Sequence, residues 1–476
     1  MPRPGYAHTV KQQLEREVKL APDEGFVLPE LGGEPLPTRR FTSTYHDTAD
    51  LVLARHSVTL RHRVEAGTGV WQLKLPRGSA RIELEQPGLP AGPPLELAAL
   101  LVGFLRGREL APVARLRTRR ETVRADGAEI VDDSVAVLAG ARVVRRFREL
   151  EVELVTGDEK TLRRLEKELR RAGASSHEQR PKLYRALELD VPSAAPALED
   201  DAPPSRVLAV ALAEQARRIL LHDPGTRLGS DPEDLHQMRV ATRRLRAFLR
   251  VGEPLLEPTW SEPLRDELAW LGRALGPARD LDVLVEHFAA EIAGLGSDGR
   301  SADGVLEGLE AERAGARGAV VEALSSDRYL TLLDRLEHVG SPELTGHEPP
   351  LAELWKTTWK RMRRAHSKLD ASSSDEQVHR VRIRLKRSRY AAELAGRELG
   401  KRGDRFTEAA ARLQDVLGVN QDVAVAEQRL RAFADAGGGG VGVGLLLQRA
   451  LDRKAAATAL RPVAWKKLRR AAKRLA

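Results

Sequence analysis

The 476-residue sequence has no cysteine, 4% aromatic residues and no apolar run near the roughly 18 residues that a membrane helix requires. Without cysteine there is neither a disulfide framework nor a thiolate metal site, and a reducing compartment is compatible. So few aromatics leave no platform on which bases would stack, which makes nucleic acid an unfavoured partner. The opening stretch MPRPGYAHTVKQQL lacks the apolar core of a secretory signal, so the cytoplasm is the expected location. The 12 histidines are scattered with no H-E-x-x-H pair, and no zinc site is expected.

What the chain does have is charge. Charged residues make up 31% of it, with a formal net charge of +9. Residues 1–204 carry 32 Lys and Arg against 31 Asp and Glu, whereas residues 205–476 carry 46 against 38. Nearly all the excess therefore lies in the second part, which points to an anionic partner there. Between the parts, VPSAAPALEDDAPPS (191–205) has the composition of a linker. Short alternating runs precede it and long Ala-, Leu- and Arg-rich helical stretches follow it. The expected organisation is an α+β multidomain chain: a β-rich domain over 1–190 with a helix near 158–172, a linker over 191–204, and an all-α domain over 205–476.

In the first domain the charges fall on strand faces. EREVK (15–19) puts Glu15, Glu17 and Lys19 on one face and Arg16 and Val18 on the other. Further runs pair Arg61 with Arg63, Gln72 with Lys74, and Arg81 with Glu83 and Glu85. Others group Arg115, Arg117 and Arg119, and Glu149, Glu151 and Glu153. The alternate positions are mostly large and apolar, among them Leu60, Trp71, Leu73, Ile82, Leu84, Leu116, Leu150 and Val152. A half-wetted antiparallel sheet explains any single strand of this kind. A series of Glu-heavy and Arg-heavy faces fits better a barrel or tunnel whose inward face is charged. Carboxylate clusters suit hard divalent cations and Arg or Lys clusters suit phosphate oxygens, a combination matched to a metal-chelated polyphosphate.

These residues, in this order, resemble the CYTH domain of the triphosphate tunnel metalloenzyme superfamily. The E-x-E-x-K of Glu15, Glu17 and Lys19 is followed by TYHDTADLVL, LRHR, WQLKLP, RIELE, RELEVEL and RPKLYRAL, covering residues 8–190. His46 and Pro181 depart from the pattern without removing a charged group. The resemblance implies an eight-stranded antiparallel tunnel that binds a triphosphate and hydrolyses it with Mg²⁺ or Mn²⁺. Carried over by position, Glu15, Glu17, Glu149, Glu151 and Glu153 would hold metal, with Glu85 a further candidate. Lys19, Arg61, Arg63, Lys74, Arg81, Arg115, Arg117, Lys182 and Arg185 would grip phosphate, and Glu15, Glu17 and Lys19 would be the catalytic groups.

The second domain contains a repeat. LHQMRVATRRLRAF (235–248) and VHRVRIRLKRSRYA (378–391) share H-x-x-R-[VI]-x-x-[RK]-R-x-R, and LGRALGPARDLDVL (271–284) and LQDVLGVNQDVAVA (413–426) share L-G-x-x-x-D. Asp280 follows His236 by 44 residues and Asp422 follows His379 by 43, which indicates an internal duplication. On a helix, Arg239, Arg243 and Arg246 fall within about 60° of one another, beside His236 and away from the core-type Met238 and Leu245. The second copy repeats this stripe with His379, Arg382, Lys386 and Arg389. Four basic residues at such spacing repel one another, a cost that a polyanion would offset. Asp280 and Asp422 read as buried partners of these arginines. GGGGVGVG (437–444) reads as a connection between helices, and GRELGKRG (396–403) as a helix end.

The repeated motifs resemble the CHAD domain, which often follows CYTH domains. That resemblance implies two pseudo-symmetric four-helix bundles and a surface that binds inorganic polyphosphate through His236, Arg239, Arg243, Arg246, His379, Arg382, Lys386 and Arg389. The combined expectation is a metal-dependent triphosphatase cleaving tripolyphosphate to pyrophosphate and phosphate, with association to polyphosphate granules as a further expectation. The competing readings are an adenylate cyclase or organic triphosphatase using the same tunnel, and a non-catalytic polyphosphate-binding protein.

Overall fold

The structure is a computed structural model that describes residues 10–78, 80–175, 178, 180–191, 198–370 and 373–475. The chain divides into two compact units, Met1–Ala194 and Ala195–Ala476.

The first unit is built on an antiparallel sheet of ten strands rather than the expected eight. In chain order these are β1 (Lys11–Glu15), β2 (Glu17–Pro22), β3 (Glu34–Asp47), β4 (Thr59–Glu65), β5 (Thr68–Arg77), β6 (Ala80–Pro87), β7 (Ala111–Ala125), β8 (Ala128–Ala139), β9 (Arg142–Leu154) and β10 (Ala174–Ser175), arranged β1-β6-β5-β4-β3-β7-β8-β9-β2-β10. The count is ten because the N-terminal strand is broken at Arg16 and because the two-residue β10 adds to the edge of β2. The break closes the sheet. β1 pairs with β6 at one edge and β2 with β9 at the other, so one kinked strand joins the edges into a tunnel. At the kink, the Leu154 N–H donates to the Arg16 carbonyl at 3.0 Å. Ala66–Gly67 and Asp126–Gly127, all with positive φ, make the two-residue turns that join β4 to β5 and β7 to β8.

Five helices accompany these strands: α1 (Val52–Arg55), α2 (Leu95–Leu100), α3 (Val102–Leu105), α4 (Glu159–Arg171) and α5 (Lys182–Leu187). Helix α4 begins where the Asp158 carboxylate accepts the Thr161 N–H at 2.8 Å, a sound N-cap. Its Leu162, Leu165 and Leu169 pack on Leu20, Ile130, Leu150 and Val152, so the outward apolar face of β2, β8 and β9 is buried under a helix. Elsewhere in the unit, Leu183 and Tyr184 of α5 pack with Tyr45, Leu116, Val135 and Val137 of β3, β7 and β8 and with Ala54 of α1.

The second unit is helical: α6 (Pro204–Leu228), α7 (Pro232–Val251), α8 (Pro258–Ala293), α9 (Asp303–Leu324), α10 (Asp327–Glu337), α11 (Leu351–His366), α12 (Asp375–Leu394), α13 (Gly396–Asp435) and α14 (Val441–Lys473). Helices α6–α9 and α11–α14 pack in sequence as two sets of four, in keeping with the duplication, and α7 meets α12. The sets are not independent bundles. Phe288, Ile292 and Val305 of α8 and α9 share one core with Leu430 and Leu446 of α13 and α14. GRELGKRG holds a helix end, as expected: the short helix from Gly396 stops at Gly400 (φ 54°, ψ −153°), beyond which a second helical segment continues to Asp435, and Val441 to Gly444 already belong to α14. Among the described residues no helix is long and apolar enough to cross a membrane.

Candidate functional site

The tunnel interior collects the charged side chains that strand alternation turns inward. Lys74 donates to both Glu15 oxygens at 2.7 Å and lies 3.6 Å from Glu83. Lys19 reaches Glu151, Glu17 at 3.3 Å and Glu149 at 3.3 Å. Lys182, at the start of α5, stands 2.8 Å from Glu149, 2.9 Å from Glu151 and 3.1 Å from Asp133. Arg61 donates to Gln72 at 2.7 Å and to the Tyr45 hydroxyl at 3.2 Å, and Arg63 faces Glu85 at 3.7 Å. Arg185 lies 3.4 Å from Glu149 and stacks on Phe147. Arg16 is exposed, as the alternation predicts.

Two electrostatic regions result. Around Glu151 the charges are matched: burial would raise its pKa, but Lys182, Lys19 and Arg120 hold it well below the usual carboxylate range. Burial would likewise lower the Lys19 pKa, but Glu151, Glu17 and Glu149 keep it well above its ordinary value. At the β1–β2 kink compensation is thinner, because Lys74 is shared among Glu15, Glu83 and Glu153. Burial, then the neighbouring Glu15, push Glu153 up to about 7, with Glu17 and Glu151 adding to the effect against Lys74. Burial also raises Glu15, and the buried Glu83 Oε1 has no hydrogen-bond partner. Among the described residues no group of three or more His, Cys, Asp or Glu is arranged to grip a metal as placed. Glu15 and Glu17 are turned instead onto Lys74 and Lys19.

The expected residues thus converge, with one correction. Arg115 and Arg117 are exposed on the outer face of β7, together with Arg119, and do not enter the tunnel. The inward positions of β7 are Leu116, Thr118 and Arg120, because at the α5 end the interior is filled by apolar side chains that require Leu116 inside. Arg120 is the residue missed by the sequence reading. It donates to Asp133 at 2.9 and 2.6 Å and to Glu151 at 3.3 Å. Asp133 was equally missed, although two adjacent acids in the apolar run EIVDDSVAV were a signal. Arg81 sits on β6 opposite Glu15. Within TYHDTADLVL, Asp47 is structural: fully buried, it accepts the N–H groups of Thr48, Leu53 and Ala54 at 2.7–2.9 Å and so anchors α1.

In the helical unit, α7 and α12 bring the two copies of the basic motif to one cavity of about 820 Å³. Arg239, Arg243, Arg246, His379, Arg382 and Lys386 line it, while His236 and Arg389 do not. Burial, then Arg382, Arg243, Arg239 and Arg389, push the Lys386 pKa down to about 7, the mark of a cation ringed by cations. Arg273, His287 and Arg453 also line the cavity and were not anticipated: Arg273 sits at an unshared position of the repeated LGRALGPARDLDVL segment, and His287 and Arg453 come from α8 and α14 outside the repeats. Asp280 and Asp422 both lie along it but are exposed rather than buried as expected, Asp280 being 65% exposed and paired with Arg239 at 2.7 Å.

Comparison with known proteins accords with both units. The CYTH domain model matches residues 13–184 and the CHAD domain model residues 210–431. The chain belongs to the CYTH and CHAD families. Two uncharacterized proteins from Mycobacterium tuberculosis strains are 32% identical to it over 493 residues, covering 93% of each chain. Among solved structures, the CHAD domain from the plant Ricinus communis is 26% identical with a TM-score of 0.47, covering 58% of this chain and 94% of that one. PptA from Streptomyces chartreusis is 24% identical with a TM-score of 0.46, covering 56% and 100%. In CYTH terms, the antiparallel tunnel, its charged lumen and the kinked E-x-E-x-K strand form one unit, and the paired basic stripes fall within the CHAD domain.

Proposed function

We propose that the CYTH domain hydrolyses tripolyphosphate to pyrophosphate and phosphate with Mg²⁺ or Mn²⁺, and that the CHAD cavity binds inorganic polyphosphate. The supporting observation is the balance of charge inside the tunnel. Lys19, Arg61, Arg63, Lys74, Arg81, Arg120, Lys182 and Arg185 are matched in number by Glu15, Glu17, Glu83, Glu85, Asp133, Glu149, Glu151 and Glu153, so no positive excess is left to neutralise a polyanion. A bare triphosphate would leave that interior uncompensated, whereas a triphosphate arriving with a divalent cation would not. The donor set fits such a cation: burial and then its acidic neighbours push Glu153 up to about 7, and the buried Glu83 Oε1 accepts no hydrogen bond, with Lys74 and Arg61 no nearer than 3.6 and 3.8 Å.

Glu15, Glu17 and Glu153 are the residues that would hold the metal. Glu149 and Glu151, already saturated by Lys19, Lys182, Arg120 and Arg185, serve to fix those cations. A bound divalent ion would neutralise phosphate oxygens and lower the pKa of bound water. Lys19, Lys74, Arg61 and Arg63 would exchange their carboxylate partners for phosphate oxygens, positioning the chain and stabilising the charge that develops on it. The pairs act as place-holders, keeping long side chains ordered until substrate arrives.

Phosphate release from tripolyphosphate, ATP and long-chain polyphosphate, with and without Mn²⁺, tests this reading. Metal-dependent release from tripolyphosphate in preference to ATP is expected. No release from tripolyphosphate, or equal release without metal, refutes it. Binding of long-chain polyphosphate that survives Arg243→Glu with Arg382→Glu would separately refute the role given to the CHAD cavity.

A further inference from the structure

Arg117, expected in the lumen, belongs instead to a feature of the outer face. On the outer face of the β-tunnel, Arg40 of β3 lies opposite Arg119 of β7, which lies opposite Ser134 of β8 and then Arg148 of β9. The next outward row runs Thr42, Arg117, Ala136, Arg146. Cross-strand partners share a face, so the arginines of β7 and β9 flank the two short side chains of β8. The result is a groove of about 590 Å³ with Ser134 and Ala136 on its floor and arginine on both sides. Two strand spacings separate its walls, roughly 10 Å.

Most of this charge is uncommitted. Arg148 is held by Asp132 and Arg119 by Glu121 at 2.6 Å, but among the described residues no carboxylate pairs with Arg40, Arg117 or Arg146, all of them exposed. Like charges directly opposite on a sheet are destabilising, as in Arg40 against Arg119. Guanidinium forks converging across a narrow floor match the oxygens of a phosphate chain. A nucleic-acid strand fits less well, because Phe147, whose backbone lines the groove, turns its ring away onto Arg185 and offers no base a stacking surface.

We propose that this outer groove is a second anion site of the CYTH domain, one that holds a linear inorganic phosphate chain against the tunnel wall. It takes its ligand class from the reading above but rests on its own geometry. The test maps arginine reactivity in the full-length protein, using a dicarbonyl reagent and mass spectrometry, with and without long-chain polyphosphate. Arg117, Arg146 and Arg40 are expected to react at least fivefold more slowly with polyphosphate present, while Arg163, exposed on α4, is unchanged. The same protection is expected when Arg243→Glu and Arg382→Glu disable the CHAD cavity, so failure of that cavity to bind is scored separately. In the surface variant Arg117→Ser with Arg146→Ser, Arg40 should lose its protection. Equal reactivity of Arg117 and Arg146 with and without polyphosphate would overturn the proposal. So would loss of their protection in the cavity variant, or equal protection by single-stranded DNA at the same phosphate concentration.

Discussion

Replacing Glu153 with glutamine should make the metal-free CYTH domain more stable at pH 8, although it removes a proposed metal ligand. Burial and Glu15 push the Glu153 carboxyl from 4.5 up to about 7. Between these values the folded state keeps the proton and the unfolded state does not, so stability falls as pH rises through that window. At about 1.4 kcal/mol for each pH unit, the full gap corresponds to about 3 kcal/mol lost by pH 8. Glutamine mimics the protonated form and cannot incur that loss. The two units need not unfold together, so the measurement should be hydrogen exchange of the β9 amides in chelator, which reports local opening. At pH 8 the variant should gain about 2–3 kcal/mol of protection, and at pH 5, where folded Glu153 is protonated, no more than about 1 kcal/mol. Added Mg²⁺ should then protect the wild type more than the variant. A variant that exchanges faster at pH 8, or gains equally at both pH values, would refute the raised Glu153 carboxyl.

Other outcomes follow from the same geometry. Lys182→Ala strips the cation shared by Asp133, Glu149 and Glu151 and should cost about 3–5 kcal/mol of CYTH stability by denaturant titration, the usual penalty for orphaning buried charge. Asp47→Ala removes the acceptor of three buried N–H groups and should cost about 2–3 kcal/mol, while the rate per folded molecule stays near wild type. In the CHAD cavity Lys386 is cationic below pH 7 and neutral above it. A bound polyanion favours the protonated form, so calorimetric affinity for polyphosphate should weaken by up to about fifteenfold from pH 7 to 8.5. Lys386→Arg, always charged, should flatten that dependence.

Where the tunnel was legible in the sequence, one alternation phase carries most of the charge. In ELEVE only Glu149, Glu151 and Glu153 are charged, so the inward face is unambiguous once a lumen is supposed. RLRTRRE carries arginine in both phases, and choosing between Arg117 and Arg120 requires knowing that α5 fills the neighbouring interior with Leu183 and Tyr184. That is a tertiary fact about residues more than sixty positions away, absent from the strand itself. The ten-strand count has a similar origin, since nothing within EREVK announces that Arg16 is where the strand leaves β6 for β9. In the CHAD domain the repeated stripe was visible because duplication wrote it twice. His287 and Arg453 were not, because they reach the cavity only through the packing of α8 and α14.

The most direct measurement is phosphate release from tripolyphosphate with saturating Mg²⁺ or Mn²⁺, comparing the wild-type protein with Glu15→Gln combined with Glu17→Gln. Both glutamates face the lumen at the kink, and removing both charges should abolish metal-dependent turnover, a loss of at least about a hundredfold if a preorganised electrostatic contribution of several kcal/mol is withdrawn. The protein should remain folded, since the acid cluster at that point is already over-charged. A folded double variant that releases phosphate at the wild-type rate would contradict the assignment of the tunnel as the hydrolytic site.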